Sequence, residues 1–162
     1  MNDYKYYLDQ AIFDIQDGHY QLAIEKLDES LNIKNDWEIP YFYRAVANQA
    51  LENFDDAILD YTKALQLNEK MTDAYYNRAK ILLSRKDIEN PDFNRAITDL
   101  EKALELDPNF VEALYAMGAA QKKVENYHKA LEYLNRAVEL NPDFIHAKAL
   151  QKLILTKYLN NL

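Results

Sequence analysis

The same pattern of apolar and small residues recurs along this chain every 34 residues. In residues 111–144, apolar positions follow a helical period on both sides of a polar break at Glu125-Asn126. Asn141-Pro142 closes the second stretch, because proline disfavours helical backbone at the residue before it. The unit is therefore predicted to be two amphipathic helices joined by a short turn. Small residues, among them Gly118 and Ala130, are expected where the two helices cross.

Three further copies precede this unit, over residues 4–37, 38–71 and 72–110. The shared columns hold Ala11, Ala45, Ala79 and Gly118 on the first helix and Tyr20, Phe54, Phe93 and Tyr127 at the turn. The third copy carries five extra residues around Pro91. A fixed period across four units indicates stacked repeats that bury their apolar faces against one another.

Residues 145–160 start a fifth first helix that no second helix follows, and are predicted to form a C-terminal cap. Lys148, Gln151 and Lys152 stand in the columns that would face the second helix, and polar residues keep a terminal repeat soluble. The stripe of Leu150, Leu153, Ile154 and Tyr158 is expected to pack back on the fourth repeat. Leu155, Leu159 and Leu162 form either an exposed apolar edge or a folded-down chain end.

These columns resemble the tetratricopeptide repeat family, whose unit is a 34-residue helix–turn–helix. Tyr7, Tyr41, Tyr75 and Leu114 stand in its large-residue column. Asn35 and Glu69 depart from its closing proline. The resemblance implies an all-α, right-handed superhelical α-solenoid of four repeats plus a C-terminal capping helix. The chain length predicts a single domain over residues 1–162. The resemblance also implies that the first helices line a concave face. An ordinary helical bundle with accidental similarity is the alternative.

Composition limits the classes of function. The chain has 162 residues, no cysteine and a net charge of −8, so thiolate chemistry is excluded and a nucleic-acid binder is not expected. No apolar run reaches the 18 residues that a membrane helix needs, and the first residues carry acids rather than a signal sequence. A cytoplasmic protein is expected.

No constellation of residues points to catalysis. His19, His128 and His146 are isolated, and neither a glycine-rich phosphate loop nor a metal-ligand spacing occurs. Asp55-Asp56 opens a helix, where carboxylates favour the dipole, and Asp28-Glu29 lies on the polar side of another. The sequence predicts no enzyme, no cofactor and no metal site.

Binding is the better-supported activity, and the resemblance places it on the concave face of the first helices. The residues one turn from the packing columns are the candidate peptide-binding set: Leu8, Ile12, Phe42, Tyr43, Val46, Tyr76, Asn77, Lys80 and Tyr115. Such a groove suits an extended peptide or an amphipathic helix from a protein partner, neutral or basic rather than acidic. The alternative is that these rings only fill space between neighbouring first helices.

One subgroup of the family clamps the C-terminal carboxylate of chaperone tails with Lys, Asn and Arg on successive first helices. The matching positions here hold Leu8, Ile12, Tyr43, Asp73 and Asn77. Moving the frame by one repeat leaves a match only at Asn77 and puts Glu112 at a cation position. A carboxylate there repels an anion, so this clamp is not expected.

Charge is graded along the repeats. The net charge is −4 over residues 4–37, −3 over 38–71, −2 over 72–110, −1 over 111–144 and +3 over 145–162. Opposite charges at the two ends predict a possible homo-oligomer formed through the acidic N-terminal repeat and the basic cap. A solvated surface with no partner is the alternative.

Overall fold

The computed structural model describes residues 4–85 and 93–159, without the side chain of Leu159, and these residues form helices and no strand. The helices are α1 (Tyr4–Gln16), α2 (Tyr20–Ile33), α3 (Glu38–Ala50), α4 (Phe54–Leu67), α5 (Thr72–Ser84), α6 (Phe93–Leu106), α7 (Val111–Lys123), α8 (Tyr127–Leu140) and α9 (Ile145–Ile154), followed by a π-helical turn (Leu155–Leu159). The first helices begin at Tyr4, Glu38, Thr72 and Val111, the positions at which the sequence pattern starts each repeat. The predicted insertion at 87–91, the end of the predicted cap at residue 160, and Leu162 lie outside the described residues.

The chain divides into two compact units, residues 1–74 (unit 1) and residues 75–162 (unit 2). Unit 1 contains the hairpins α1–α2 and α3–α4 and the first residues of α5. Unit 2 contains the rest of α5 and the helices that follow. That residues 1–162 form a single domain stays a prediction.

The core of unit 1 is built from the small and apolar columns of the sequence pattern. Leu8, Ala11, Ala23, Leu27 and Ala47 are buried together. Trp37, Ile39 and Tyr43 pack against them, so α3 covers the apolar side of the first hairpin. Alanine at the crossing positions lets the helices approach closely, and the larger residues around them exclude water.

The turns inside three hairpins share one backbone feature. Gly18 has φ of 80°, and Glu52 and Glu125 have φ of 62° and 60°. These three residues occupy the same position of their repeats. A left-handed backbone suits glycine and strains glutamate, so the turn geometry overrides residue preference in two of the three hairpins.

Unit 2 has its own core around α8. Leu114, Ala130, Leu134, Ala137 and Ala147 are buried together with Ile154. A Cβ added to Gly118 would lie 2.6 Å from Leu134 Cγ and 3.2 Å from the Ala130 carbonyl oxygen. The small-residue crossing predicted for α7 and α8 is therefore present.

The cap packs on the fourth hairpin for most of its predicted stripe. Ile154 is buried and Leu150 packs beside it. Tyr158 stacks on Tyr127, with ring centroids 4.4 Å apart and planes 14° from parallel. Leu153 is the exception, because 41% of it is exposed. The prediction that Leu153 packs back was wrong, since Leu153 is not among the residues that pack against the core of unit 2. Leu155 is also 42% exposed.

Candidate functional site: the first-helix faces

An aromatic row follows the first helices of unit 2. Tyr76 on α5 packs against Phe110, the residue that precedes α7, with ring centroids 4.8 Å apart. Tyr115 on α7 packs against Phe144, the residue that precedes α9, at 5.2 Å. Both pairs are tilted, and all four rings are half-buried. We call these four residues the unit 2 aromatic row.

Polar groups border this row. Lys80 is exposed and holds Nζ 5.2 Å from the centroid of the Tyr76 ring. His146 is exposed and lies 6.4 Å from the Tyr115 ring, centroid to centroid. Burial raises the pKa of Tyr76, and the negative charge of Glu112 and the neighbouring Tyr115 raise it further. The surface therefore combines apolar rings with one cation, one carboxylate and one imidazole.

The predicted residues of unit 1 lie in a more closed setting. Leu8 is only 6% exposed and belongs to the core, so its side chain supplies packing. Ile12 and Tyr43 are half-buried against the same core. Phe42 makes edge contacts with Tyr43 at 5.4 Å and with the buried Tyr61 at 5.8 Å. Val46 is half-buried beside them along α3.

In the structure, Tyr76 contacts the ring of Phe110, and Tyr115 contacts the ring of Phe144. The sequence did not predict these two contacts. Phe110, Phe144 and His146 were not among the candidate residues. A signal for the phenylalanines was available, because Trp37, Phe110 and Phe144 each stand directly before a first helix. Asn77 is half-buried and continues α5 from Tyr76.

Ion pairs join helices of neighbouring positions in the chain. Arg44 on α3 donates from Nε and Nη2 to the two carboxylate oxygens of Asp60 on α4, at 2.8 and 2.7 Å. It also donates from Nη1 to Asp28 Oδ1 at 2.6 Å. The bond to Asp60 raises the pKa of Arg44 above its usual range, and the bond to Asp28 adds to this. Arg78 holds Asp99 in the same way, at 2.8 and 2.7 Å.

A shallow depression of about 380 Å³ surrounds Arg44. It is lined by Ile24, Asp28, Arg44, Asn48, Asp56, Leu59 and Asp60. Asp60, its buried carboxylate, accepts two hydrogen bonds from the guanidinium of Arg44. Asp28 is exposed, as its predicted place on the polar side of α2 implies, and its bond to Arg44 is an addition that the sequence did not predict. In the part of the chain that the structure describes, no group of three or more His, Asp or Glu residues could hold a metal ion. Nor does any described helix have the length and apolar character needed to cross a bilayer.

Family models for the tetratricopeptide repeat match residues 43–90, 89–124 and 111–144. Together these matches run from residue 43 to residue 144. The chain belongs to the tetratricopeptide repeat family. The proposed resemblance is therefore confirmed.

Curated relatives of this tetratricopeptide repeat chain match over part of its length. Human sperm-associated antigen 1 is 34% identical over 99 residues, which are 61% of this chain and 10% of that protein. Human DnaJ homolog subfamily C member 7 is 32% identical over 97 residues, covering 57% of this chain and 18% of that protein. The chain thus spans only a tenth to a fifth of the length of these relatives.

Solved structures match more of the tetratricopeptide repeat chain. MamA from Desulfovibrio magneticus RS-1 superposes with a TM-score of 0.86 at 22% identity, covering 94% of this chain and 83% of that one. The first TPR of Spaghetti (RPAP3), bound to the HSP90 peptide SRMEEVD, gives 0.67 at 22% identity, covering 72% and 89%. These likenesses confirm the expected fold class, an all-α solenoid of tetratricopeptide repeats.

Proposed function

We propose that this chain is a non-catalytic protein-interaction module and that its first-helix faces bind a peptide or helical segment of a partner protein. The observation that carries the proposal is the unit 2 aromatic row, four half-buried rings next to exposed polar side chains. Family membership supports the class of function, because tetratricopeptide repeats generally serve as protein-interaction scaffolds. The neighbour in complex with an HSP90 peptide supports a peptide as ligand.

Physically, a partner segment gains most from covering the aromatic row. Half-buried rings expose part of a face or an edge, so an apolar side chain placed on them loses water contact and makes dispersion contacts. Asn77, Lys80 and His146 supply hydrogen-bonding groups at the border, which fix the register of a bound segment. Phe42, Tyr43 and Val46, with Ile12, form the corresponding face of unit 1.

The charge preference differs between the two units. Residues 1–74 have a net charge of −9, whereas residues 75–162 have a net charge of +1. A preference for neutral or basic partners is therefore expected from unit 1, and unit 2 is expected to select by shape and hydrogen bonding. Cytoplasmic location and the absence of nucleic-acid ligands remain part of the proposal.

Panning a library of displayed peptides against the whole chain tests this function. Recovered peptides should bind the wild type and lose at least about tenfold in affinity, or about 1.4 kcal/mol, for Tyr76→Leu and Tyr115→Leu. Leucine retains apolar volume, so the fold should survive. Tyr133→Leu is the matched control, because this half-buried tyrosine lies on the second helix α8. Peptides that bind all variants equally would contradict the proposed face.

The same assay separates binding from space filling. If Phe42→Ala and Tyr76→Ala lose peptide binding and keep the unfolding midpoint, the rings act at a binding surface. If they unfold the chain instead, the rings mainly fill space.

The peptide SRMEEVD serves as a specificity probe, since Asp73 and Glu112 stand where a carboxylate clamp needs cations. We expect no binding of this peptide, and tight binding would show that a clamp exists.

A second candidate function is self-association. The specific observation is the charge difference between the acidic N-terminal repeat, with −4 over residues 4–37, and the basic C-terminal segment, with +3 over residues 145–162. The mass in solution over a salt series tests it, since contacts between exposed charges weaken as salt rises. A monomer at every salt concentration would exclude this function and leave the peptide-binding proposal intact.

A further inference from the structure

Two exposed stripes on the first and last helices carry opposite charges between apolar residues. The α1 stripe is Tyr6, Asp9, Phe13 and Asp17, and the α9 stripe is Ile145, Lys148, Lys152 and Leu155. In each stripe the residues are three or four positions apart, and those within α1 and α9 therefore lie on one side of the helix. Asp17 directly follows the end of α1, and Leu155 opens the π-helical turn that follows α9. All eight residues are exposed, with Phe13 at 59% and Ile145 at 75%.

The α1 stripe corresponds to a surface that is covered elsewhere in unit 1. Tyr43 and Ala47 on α3 pack against the core of the preceding hairpin, around Leu8 and Leu27. Counting back one repeat of 34 residues, Tyr43 corresponds to Asp9 and Ala47 to Phe13. The same side of a first helix therefore contacts a neighbouring helix in α3 and is exposed in α1.

The α9 stripe corresponds to a covered surface of unit 2. On α7, Leu114 is fully buried in the core with Leu134 of α8, and Gly118 lies so close to Leu134 that a Cβ would clash. One repeat later, these two positions are Lys148 and Lys152, and Gln121 becomes Leu155. The side of a first helix that packs on a second helix in α7 is thus exposed in α9.

We infer that the α9 stripe of one copy of this chain docks on the α1 stripe of another copy, head to tail. This inference rests on the self-association candidate above and names the surfaces that form the contact. Phe13, with Ile145 and Leu155, would lose water contact, and Asp9 and Asp17 would pair with Lys148 and Lys152. Unlike charges favour this pairing, whereas two α1 stripes or two α9 stripes would place like charges together.

The contact is heterologous, because each copy offers one stripe of each kind. Such a contact leaves one unused stripe at each end of a pair of copies. Further copies can therefore add, and the oligomer grows until its two ends bind each other and close a ring. The expected behaviour is a mass that increases with protein concentration at low salt and decreases as salt is added.

Charge-swap variants of the full chain test the pairing. Asp9→Lys with Asp17→Lys gives copies with two basic stripes, and Lys148→Glu with Lys152→Glu gives copies with two acidic stripes. Each variant alone should sediment as a monomer at low salt. An equimolar mixture should associate again, because basic α9 meets acidic α1 and acidic α9 meets basic α1.

Controls carry the same charge changes away from the stripes. Glu25→Lys with Glu29→Lys on α2, and Lys129→Glu with Arg136→Glu on α8, alter exposed residues and should leave wild-type association unchanged. Association of the wild type that persists in both stripe variants would overturn these docking surfaces while leaving self-association in place. Monomeric wild type at every salt concentration would overturn both. Circular dichroism of each variant establishes that it is folded.

Discussion

The hairpins α3–α4 and α7–α8 have the same helix lengths and turn, yet they join their helices by different chemistry. In α3–α4, Arg44 and Asp60 form a two-bond ion pair across the helices. In α7–α8, the same two columns hold Met117, which is fully buried, and the half-buried Tyr133. The same two columns thus hold an ion pair in one hairpin and two largely apolar side chains in the other, so the repeat leaves the chemistry at these positions free to vary.

The largest expected effect comes from breaking the ion pair of α3–α4. Asp60→Ala leaves the guanidinium of Arg44 with the half-exposed Asp28 as its carboxylate partner and with the ring of Tyr41, whose centroid is 5.6 Å away. Removing one member of a buried pair costs about 3 kcal/mol, and urea unfolding monitored by circular dichroism measures the loss. Glu29→Ala, at an exposed position of α2, is the control and should change stability by less than about 0.5 kcal/mol.

The double variant Arg44→Met, Asp60→Tyr copies the residues of α7–α8 into α3–α4. Because an apolar pair of suitable volume can replace a buried ion pair, most of the stability lost in Asp60→Ala should return. If the double variant is as unstable as Asp60→Ala, the α3–α4 hairpin cannot accommodate the residue pair found in α7–α8.

The elements common to both hairpins are those that the sequence predicted. Small residues at Ala45 and Gly118, and alanines at the crossings, recur because close helix approach excludes larger side chains at those positions. The helix starts follow from the same period. A repeat position that accepts only small residues can be recognised from a single sequence, because it occurs once in each of the four repeats.

The ion pairs and ring contacts could not be predicted in the same way. Asp60 and Asp99 look like residues of a solvated helix face, and only the geometry shows that Arg44 and Arg78 reach them across the hairpin. The contact of Tyr76 with Phe110 joins residues 34 positions apart that belong to different columns. The sequence predicts that Leu153 packs and the structure leaves it exposed, because periodicity alone does not define the width of a helix face.

The crossing residues give the next largest effect. Gly118→Ala puts a Cβ 2.6 Å from Leu134 Cγ, and the crowding should cost about 2 kcal/mol, more than the roughly 1 kcal/mol that alanine adds in helix propensity. Ala45→Gly, the reciprocal change in α3–α4, should cost about 1 kcal/mol through helix propensity, and the loss of a fully buried methyl group adds to this cost. Urea unfolding measures both. A stabilised Gly118→Ala variant would show that α7 and α8 can separate slightly without loss.

Glycine at the left-handed turn residue of each hairpin should increase the free energy of unfolding. Glu52 and Glu125 hold left-handed backbone, as Gly18 does in the first hairpin. Glu52→Gly and Glu125→Gly should each stabilise by up to about 1 kcal/mol, and Gly18→Ala should destabilise by about 1 kcal/mol. Glu29→Gly, in the middle of α2, is the opposite control and should lose about 1 kcal/mol. If Glu52→Gly and Glu125→Gly lose as much stability as Glu29→Gly, the two turns carry no backbone strain.

The smallest expected effect concerns a column in which the repeats differ by one hydroxyl group. Phe42 on α3 corresponds to Tyr76 on α5, whose pKa is raised by burial and by the negative charge of Glu112. The folded chain therefore holds the phenolic proton of Tyr76 more tightly than the unfolded chain, whose tyrosines titrate at about pH 10. This contribution to stability is complete below that pH and is lost as the pH rises through the folded pKa of Tyr76.

Tyr76→Phe should remove the part of the stability loss at alkaline pH that comes from Tyr76, and Glu112→Gln should reduce it. Unfolding free energies measured across alkaline pH check this, and parallel curves for the wild type and Tyr76→Phe would show that the phenol is as well hydrated in the folded chain as in the unfolded one.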